Sequence, residues 1–212
     1  MSSHKFSISN QSTLFLKKPS SRIEVNMSEF KVCFLNTGDE VLFTKEVGPC
    51  ICIMLQGEIN SAKFILMHHW SGFDGVNDHK EQLWHMLNLT SGYYTKIIES
   101  YEQTVNKSTA PVQAKIINIT VIGGQRKQYD DNNRLILSGT ENEIKSIEKY
   151  LVEGLKDDFI LYRNTTFNIL PFLTEEQTTL SIEMKGFESI KYNISDEFES
   201  ESDTITNSSH SI

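Results

Sequence analysis

Cys50-Ile51-Cys52-Ile53-Met54-Leu55, then Gln56-Gly57-Glu58-Ile59-Asn60, then the run from Ala62 to Trp70 that ends Met67-His68-His69-Trp70, is the stretch that decides the fold. The first run is almost wholly apolar, which predicts a strand covered on both faces. The glycine-containing middle predicts a hairpin connection, with Ala62 to Trp70 as the return strand. Upstream, Phe30 to Leu35 reads as a strand, Asn36-Thr37-Gly38-Asp39 as a turn, and Val41 to Phe43 as a short strand leading into Thr44. Downstream, Ser71 to Asp78 is a polar loop.

The period then changes. Tyr94, Ile97, Ile98, Tyr101 and Val105 keep the spacing of one buried helical face. Leu83, Met86 and Leu87 belong either to that helix or to a separate turn broken near Ser91-Gly92, and Pro111 ends the helical region. Ala114 to Ile122 is strand-like and stops at Gly123-Gly124. Asp130 to Asn133 is a turn. Thr140-Glu141-Asn142-Glu143 has the form of a capping box before a stripe of Ile144, Ile147, Leu151 and Leu155. Asp158 to Tyr162 and Thr166 to Leu170 read as two strands, and Leu180 to Met184 with Ile190 to Ile194 as a hairpin. The order of strands, helix, strand, helix, strands predicts an α+β fold: a mixed or antiparallel β-sheet sandwich flanked by two main helices. The expected organisation is a loose arm over 1–28, the domain over 29–174, an extension over 175–194 and an acidic disordered tail over 195–212.

At 212 residues the chain is one domain by size, able to bury roughly two-thirds of its unfolded surface without a disulfide or metal. Three cysteines, an odd number with no signal-peptide pattern, fit reduced thiols in a cytosolic setting. The Asn-x-Ser/Thr triplets, as at Asn88, Asn118 and Asn193, then read as accidents of composition. No apolar run approaches the roughly 18 residues of a membrane span. A net charge of −8 argues against a nucleic-acid partner, although Asp196, Glu197, Glu199, Glu201 and Asp203 concentrate much of it in the tail.

Chemistry gathers around Cys50. A thiol attacks only as thiolate, so it needs a base and access to solvent. Gly48-Pro49 makes a turn that offers access, and His68 and His69 on the following strand offer a base. The plainer reading is that a cysteine in an apolar strand is filler, and for Cys33 and Cys52 filler is the expectation. His68 and His69 alternate across their strand, so only one can face Cys50. A zinc site from Cys50, Cys52 and a histidine is conceivable, but no fourth ligand closes it. Gly123-Gly124 is either backbone that passes close to the site or an ordinary strand end. Phosphate-loop and dinucleotide fingerprints are absent. Tyr93, Tyr94 and Trp84 read as packing residues.

Thr44-x5-Cys50, with Gly48 two before the cysteine, resembles the Thr-x-Gly-Leu-Gly-Ser-Cys segment of the CheD-type chemoreceptor glutamine deamidases. The apolar strand Cys50 to Leu55, Gly57, and the histidine-bearing strand Ala62 to His69 follow in the family's order. Lys115 to Gly124 is similar to its lysine-apolar-Gly-Gly segment, and the helix of Ile144 to Leu155 comes after. The likeness covers about residues 30 to 165. Pro49 stands where the family has serine, two histidines stand where it has one, the proline closing that strand is missing, and Gln125-Arg126-Lys127 replaces an alanine-containing continuation.

The resemblance implies a protein glutamine deamidase that needs no cofactor and acts on a partner protein bearing an exposed glutamine. Cys50 is then the nucleophile, His68 the base with His69 in reserve, Gly48 the neighbourhood of the oxyanion donors, and Gly123 and Gly124 the substrate-proximal backbone. By the same resemblance Thr44 orients the imidazole or the substrate amide. The cysteine–histidine core is shared by deamidating toxins of the cytotoxic-necrotizing-factor type, so the setting is either cytoplasmic chemotaxis or secretion into a host cell as a bacterial effector. The acidic Ser/Thr-rich end resembles the secretion signals of some injected effectors. The alternatives are a CheD-like binding module that has lost its chemistry, or transglutamination or proteolysis by the same residues.

Overall fold

The apolar run and its return strand form the hairpin at the centre of the molecule, but the turn lies three residues beyond Gly57. The computed structural model describes residues 21–36, 39–73, 78–105, 114–137, 139–158, 160–170, 178–196 and 210–211. Within them the first strands are β1 (Arg22–Glu24), β2 (Phe30–Phe34), β3 (Val41–Val47), β4 (Ile51–Ile59) and β5 (Ala62–Trp70). Helix α1 (His79–Val105), strand β6 (Ala114–Gly123) and the small hairpin β7 (Gln128–Tyr129) and β8 (Leu135–Leu137) follow. Helix α2 (Glu141–Ser146), a π-helical turn over Ile147–Leu151 and α3 (Val152–Asp158) run as one continuous segment. Strands β9 (Ile160–Ile169), β10 (Thr178–Lys185), β11 (Ser189–Asp196) and β12 (His210–Ser211) complete the order.

Two five-stranded sheets result, ordered β2-β5-β4-β6-β9 and β1-β3-β10-β11-β12. Pairing is antiparallel except for β1 with β3 and β6 with β9. Alternation along β4 builds both cores, because successive side chains point to opposite faces. Ile51, Ile53 and Leu55 pack with Phe64, Leu66 and Trp70 of β5 and with Met86, Tyr93 and Ile97 of α1. Cys50, Cys52 and Met54 pack with Ile65 and Met67, and with Leu42, Ile182 and Met184 from the other sheet. The layers are therefore sheet, sheet, helices: an α+β sandwich, as the order of elements predicts. Ile144, Ile147, Leu151 and Leu155 are all buried in the helix-side core. Among the described residues no helix is long and apolar enough to cross a membrane.

Several expectations are corrected. The β4–β5 connection is the two-residue turn Asn60-Ser61, with both φ angles positive (46° and 71°) and Ile59 paired with Ala62. Paired positive φ is the geometry whose twist matches a two-residue hairpin. Gly57 instead lies inside β4, at the register shift against β6. Helix α1 runs unbroken through Ser91-Gly92. Thr140 does not cap α2; its hydroxyl accepts the Gln125 N–H at 2.9 Å. The expected strands at 158–162 and 166–170 are the single strand β9. Residues 22–28, expected in a loose arm, are tied down: β1 pairs with β3, and Met27 bridges to His69. The hairpin beyond residue 175 is an integral part of the second sheet, since β10 pairs with β3. Ser195 and Asp196, expected in the tail, belong to β11. His210 and Ser211, also expected in the tail, form β12 against β11. The rest of the tail at 197–209 and 212, the arm over 1–20, Thr37-Gly38, residues 74–77 of the expected loop and Pro111 lie outside the described residues.

Gly57 makes a testable point. A Cβ there would stand 2.5 Å from the Lys115 carbonyl oxygen and 2.5 Å from the Phe64 ring. Backbone on one side and a fully buried ring on the other leave no room for it. Gly57→Ala is expected to destabilise by about 2–3 kcal/mol through overpacking, read as a lower urea midpoint. Gly92→Ala, whose Cβ would meet only the Phe30 ring at 3.4 Å within a helix, is expected to be neutral or stabilising by up to about 1 kcal/mol.

Candidate active site

The two-residue turn fixes which histidine faces the thiols. With Ile59 opposite Ala62, the register runs back to Ile53 opposite His68 and Cys52 opposite His69. Paired residues share a face, so His69 points between the sheets with the cysteines and His68 points to the helices.

His68, expected as the base, is therefore on the wrong side of β5. Its Nδ1 lies 2.7 Å from the Tyr93 hydroxyl, and Phe30 and Tyr93 meet its ring edge-on. Burial pushes its pKa down to about 3, with further depression from the charges of His69 and His85. It is a neutral core histidine, separated from Cys50 by the sheet itself.

His69, on the opposite face, meets Thr44. Its Nδ1 is 2.8 Å from Thr44 Oγ1, on a threonine with no solvent exposure. Its backbone is clamped by the segment before β2: Ser28 N–H donates to the His69 carbonyl at 2.7 Å, and His69 N–H donates to the Glu29 carbonyl at 3.0 Å. Nε2 is buried and has no hydrogen-bond partner. An unpaired buried ring nitrogen is costly. The same side chain lines a cavity of about 290 Å³ walled by Asn26, Met27, Lys45 and Glu46. Burial lowers the His69 pKa, and the nearby Glu46 carboxylate opposes that shift.

Cys52 is directly across from His69 but has no exposure, and burial pushes its thiol far up. Cys33 is partly exposed, yet burial and then the Glu40 charge push it to about 11. Cys50 packs on the same side as Cys52 at the mouth of β4 and is 7% exposed. It stands just before β4, two residues from Cys52, the partner of His69 in the ladder. Gly124 N–H donates to the Cys50 carbonyl at 2.9 Å. Gly123 has φ +104°, and a Cβ there would sit 2.7 Å from the same carbonyl. Gly123 is also the last residue of β6, paired with Ile51.

The expectation for Gly48 fails in its simple form. Its N–H is already donated to the Glu46 carbonyl at 3.0 Å, and Pro49 has no N–H to offer. Glu46 and the segment 26–29 were not singled out by sequence. Nothing in the sequence announces that a glutamate takes a positive φ or that a polar arm covers a histidine.

No protein-family description matches the chain, and no curated protein matches it as a relative.

Proposed function

We propose that this chain is a cysteine-dependent protein glutamine deamidase of the CheD-like kind, with Cys50 as nucleophile, His69 as base and Thr44 as the residue that orients the imidazole. The observation that carries the reading is the buried, unpartnered His69 Nε2, on a ring held by Thr44 at 2.8 Å through Nδ1. When Nδ1–H donates to Thr44 Oγ1, Nε2 presents a lone pair and can take the thiol proton. Cys50 thiolate then attacks the carboxamide carbon of a glutamine side chain. His69 returns the proton to the departing ammonia, leaving a thioester. Water, deprotonated by the same imidazole, hydrolyses it to glutamate and regenerates the thiol. The substrate class is a protein with an accessible glutamine, a chemoreceptor or a host protein.

A second reading has its own support. With Gly48 N–H engaged and Pro49 lacking one, oxyanion stabilisation near Cys50 is thin, and a missing donor costs about 3–4 kcal/mol of transition-state binding. A binding module that keeps the sandwich without the chemistry would tolerate that.

Limiting iodoacetamide at neutral pH, followed by peptide mapping, separates the two. Selective labelling of Cys50 ahead of the partly exposed Cys33 is expected of an activated thiolate. Candidate substrates incubated with the native chain should then gain the mass of a glutamine-to-glutamate change, and Cys50→Ala should abolish it. Equal or negligible labelling of all three cysteines would favour the binding module.

A further inference from the structure

Two residues beside His69 have a positive φ: Ser28 at 62°, whose N–H goes to the His69 carbonyl, and Glu46, whose side chain is exposed. Val47 pairs with Leu180 and Thr44 with Ile182, so β3 carries one residue more than β10 across this step, which is a β-bulge. Glu46 occupies it with φ 55°, in the left-handed region that a residue with a Cβ enters only at a cost. Gly48 N–H donates to the Glu46 carbonyl at 3.0 Å and closes the turn. Bulges re-aim side chains and gather beside active sites, and a strained non-glycine position there points to a use for its side chain. Glu46 lines the same cavity as His69, and Thr44 reaches Nδ1.

We propose that Glu46 is the electrostatic partner of His69: a positioning residue whose carboxylate holds the imidazolium formed when Nε2 takes the proton of Cys50. This rests on the deamidase reading for its role in a reaction, but not for its effect on the ring. The other groups facing His69 do not supply that charge. Cys52 on β4 is buried with its proton on, and His68 on the same strand is neutral. Lys45 and Glu24, also on the cavity wall, lie 3.9 Å apart and offset each other. Glu46 is left as the charge that favours a protonated ring, the direction in which it acts on His69. Thr44 can orient the ring but cannot stabilise its positive form, so the two residues divide the work usually given to one carboxylate.

The test titrates the His69 ring by NMR in the full chain, alongside the rate of Cys50 alkylation by iodoacetamide. Glu46→Gln is expected to lower the ring pKa by about half a unit to one unit and to slow neutral-pH alkylation about three- to tenfold. Glu46→Asp should restore much of both. Glu46→Gly should behave like Glu46→Gln in both readouts yet melt at a higher temperature, because glycine relieves the positive φ. A ring pKa unchanged in Glu46→Gln overturns the proposal. If the pKa moves as expected and no glutamine-to-glutamate conversion is found on any substrate, the deamidase reading fails while the pairing of Glu46 with His69 stands.

Discussion

His69→Ala is expected to cut deamidation and Cys50 alkylation by about 10²- to 10⁴-fold, the range for removing a positioned general base, while His68→Asn leaves both within a few-fold of the parent. The contrast follows from the pleat. Cys52 pairs with His69 and Ile53 with His68, so the sheet separates His68 from the thiols whatever its protonation. Asparagine is chosen at 68 because its short amide can keep a hydrogen bond to the Tyr93 hydroxyl, which Nδ1 now makes at 2.7 Å. Thr44→Val, which keeps the shape and loses the hydroxyl, should fall between the two, since Nδ1 would lose its 2.8 Å partner and the ring would lose its preferred tautomer. The measurement is second-order alkylation of Cys50 at fixed pH, followed by turnover on a substrate once one is found. Equal losses at 68 and 69 would mean that the effect is structural and that neither imidazole is the base.

Most of the architecture follows from periodicity visible in the chain. The unbroken apolar run of β4 predicts burial on both faces, and both faces are buried, one under the helices and one under the second sheet. The stripe from Ile144 to Leu155 predicts a helix on the core, and it packs there even though its middle is a π-helical turn. What periodicity cannot give is parity. Gln56 to Asn60 reads as the connection, yet only Asn60 of that stretch turns the chain, with Ser61, and Gly57 is used where no Cβ fits. Asparagine tolerates positive φ, so Asn60 was the available signal. Fixing the turn there makes Ile59 face Ala62 and alone decides between His68 and His69, since a slip of one residue exchanges the faces. The bulge at Glu46 carries no such mark, because a glutamate between lysine and valine looks like ordinary strand. The oxyanion question was half legible: Pro49 lacks an N–H by its chemistry, whereas the engagement of the Gly48 N–H depends on a turn that only the folded chain reveals.

Stability is expected to fall steeply with acid, and His68 is the cause. Its ring is neutral in the folded state, with a pKa pushed down to about 3 by burial, whereas in the unfolded chain it protonates near the ordinary value of about 6.5. Above about pH 6.5 both states are neutral there and the full stability is present. Between the two values the unfolded chain binds a proton that the native one refuses, so stability drops as pH falls and levels off below about 3. At about 1.4 kcal/mol per pKa unit, the loss is on the order of 5 kcal/mol, a large share of the roughly 5–15 kcal/mol available to a domain. His69, lowered in the same direction, adds to it. Urea midpoints between pH 7.5 and 4 measure the slope, and His68→Asn should flatten it at some expense in stability at neutral pH. Parallel slopes in parent and variant would place the acid sensitivity elsewhere. The same variant also separates the acid limb of reactivity from that of stability. The acid limb of Cys50 reactivity, expected to report the protonation of His69, should stay where it was, while the acid limb of stability moves. The two adjacent histidines lie on opposite faces of one strand, His69 beside Thr44 and His68 beside the Tyr93 hydroxyl.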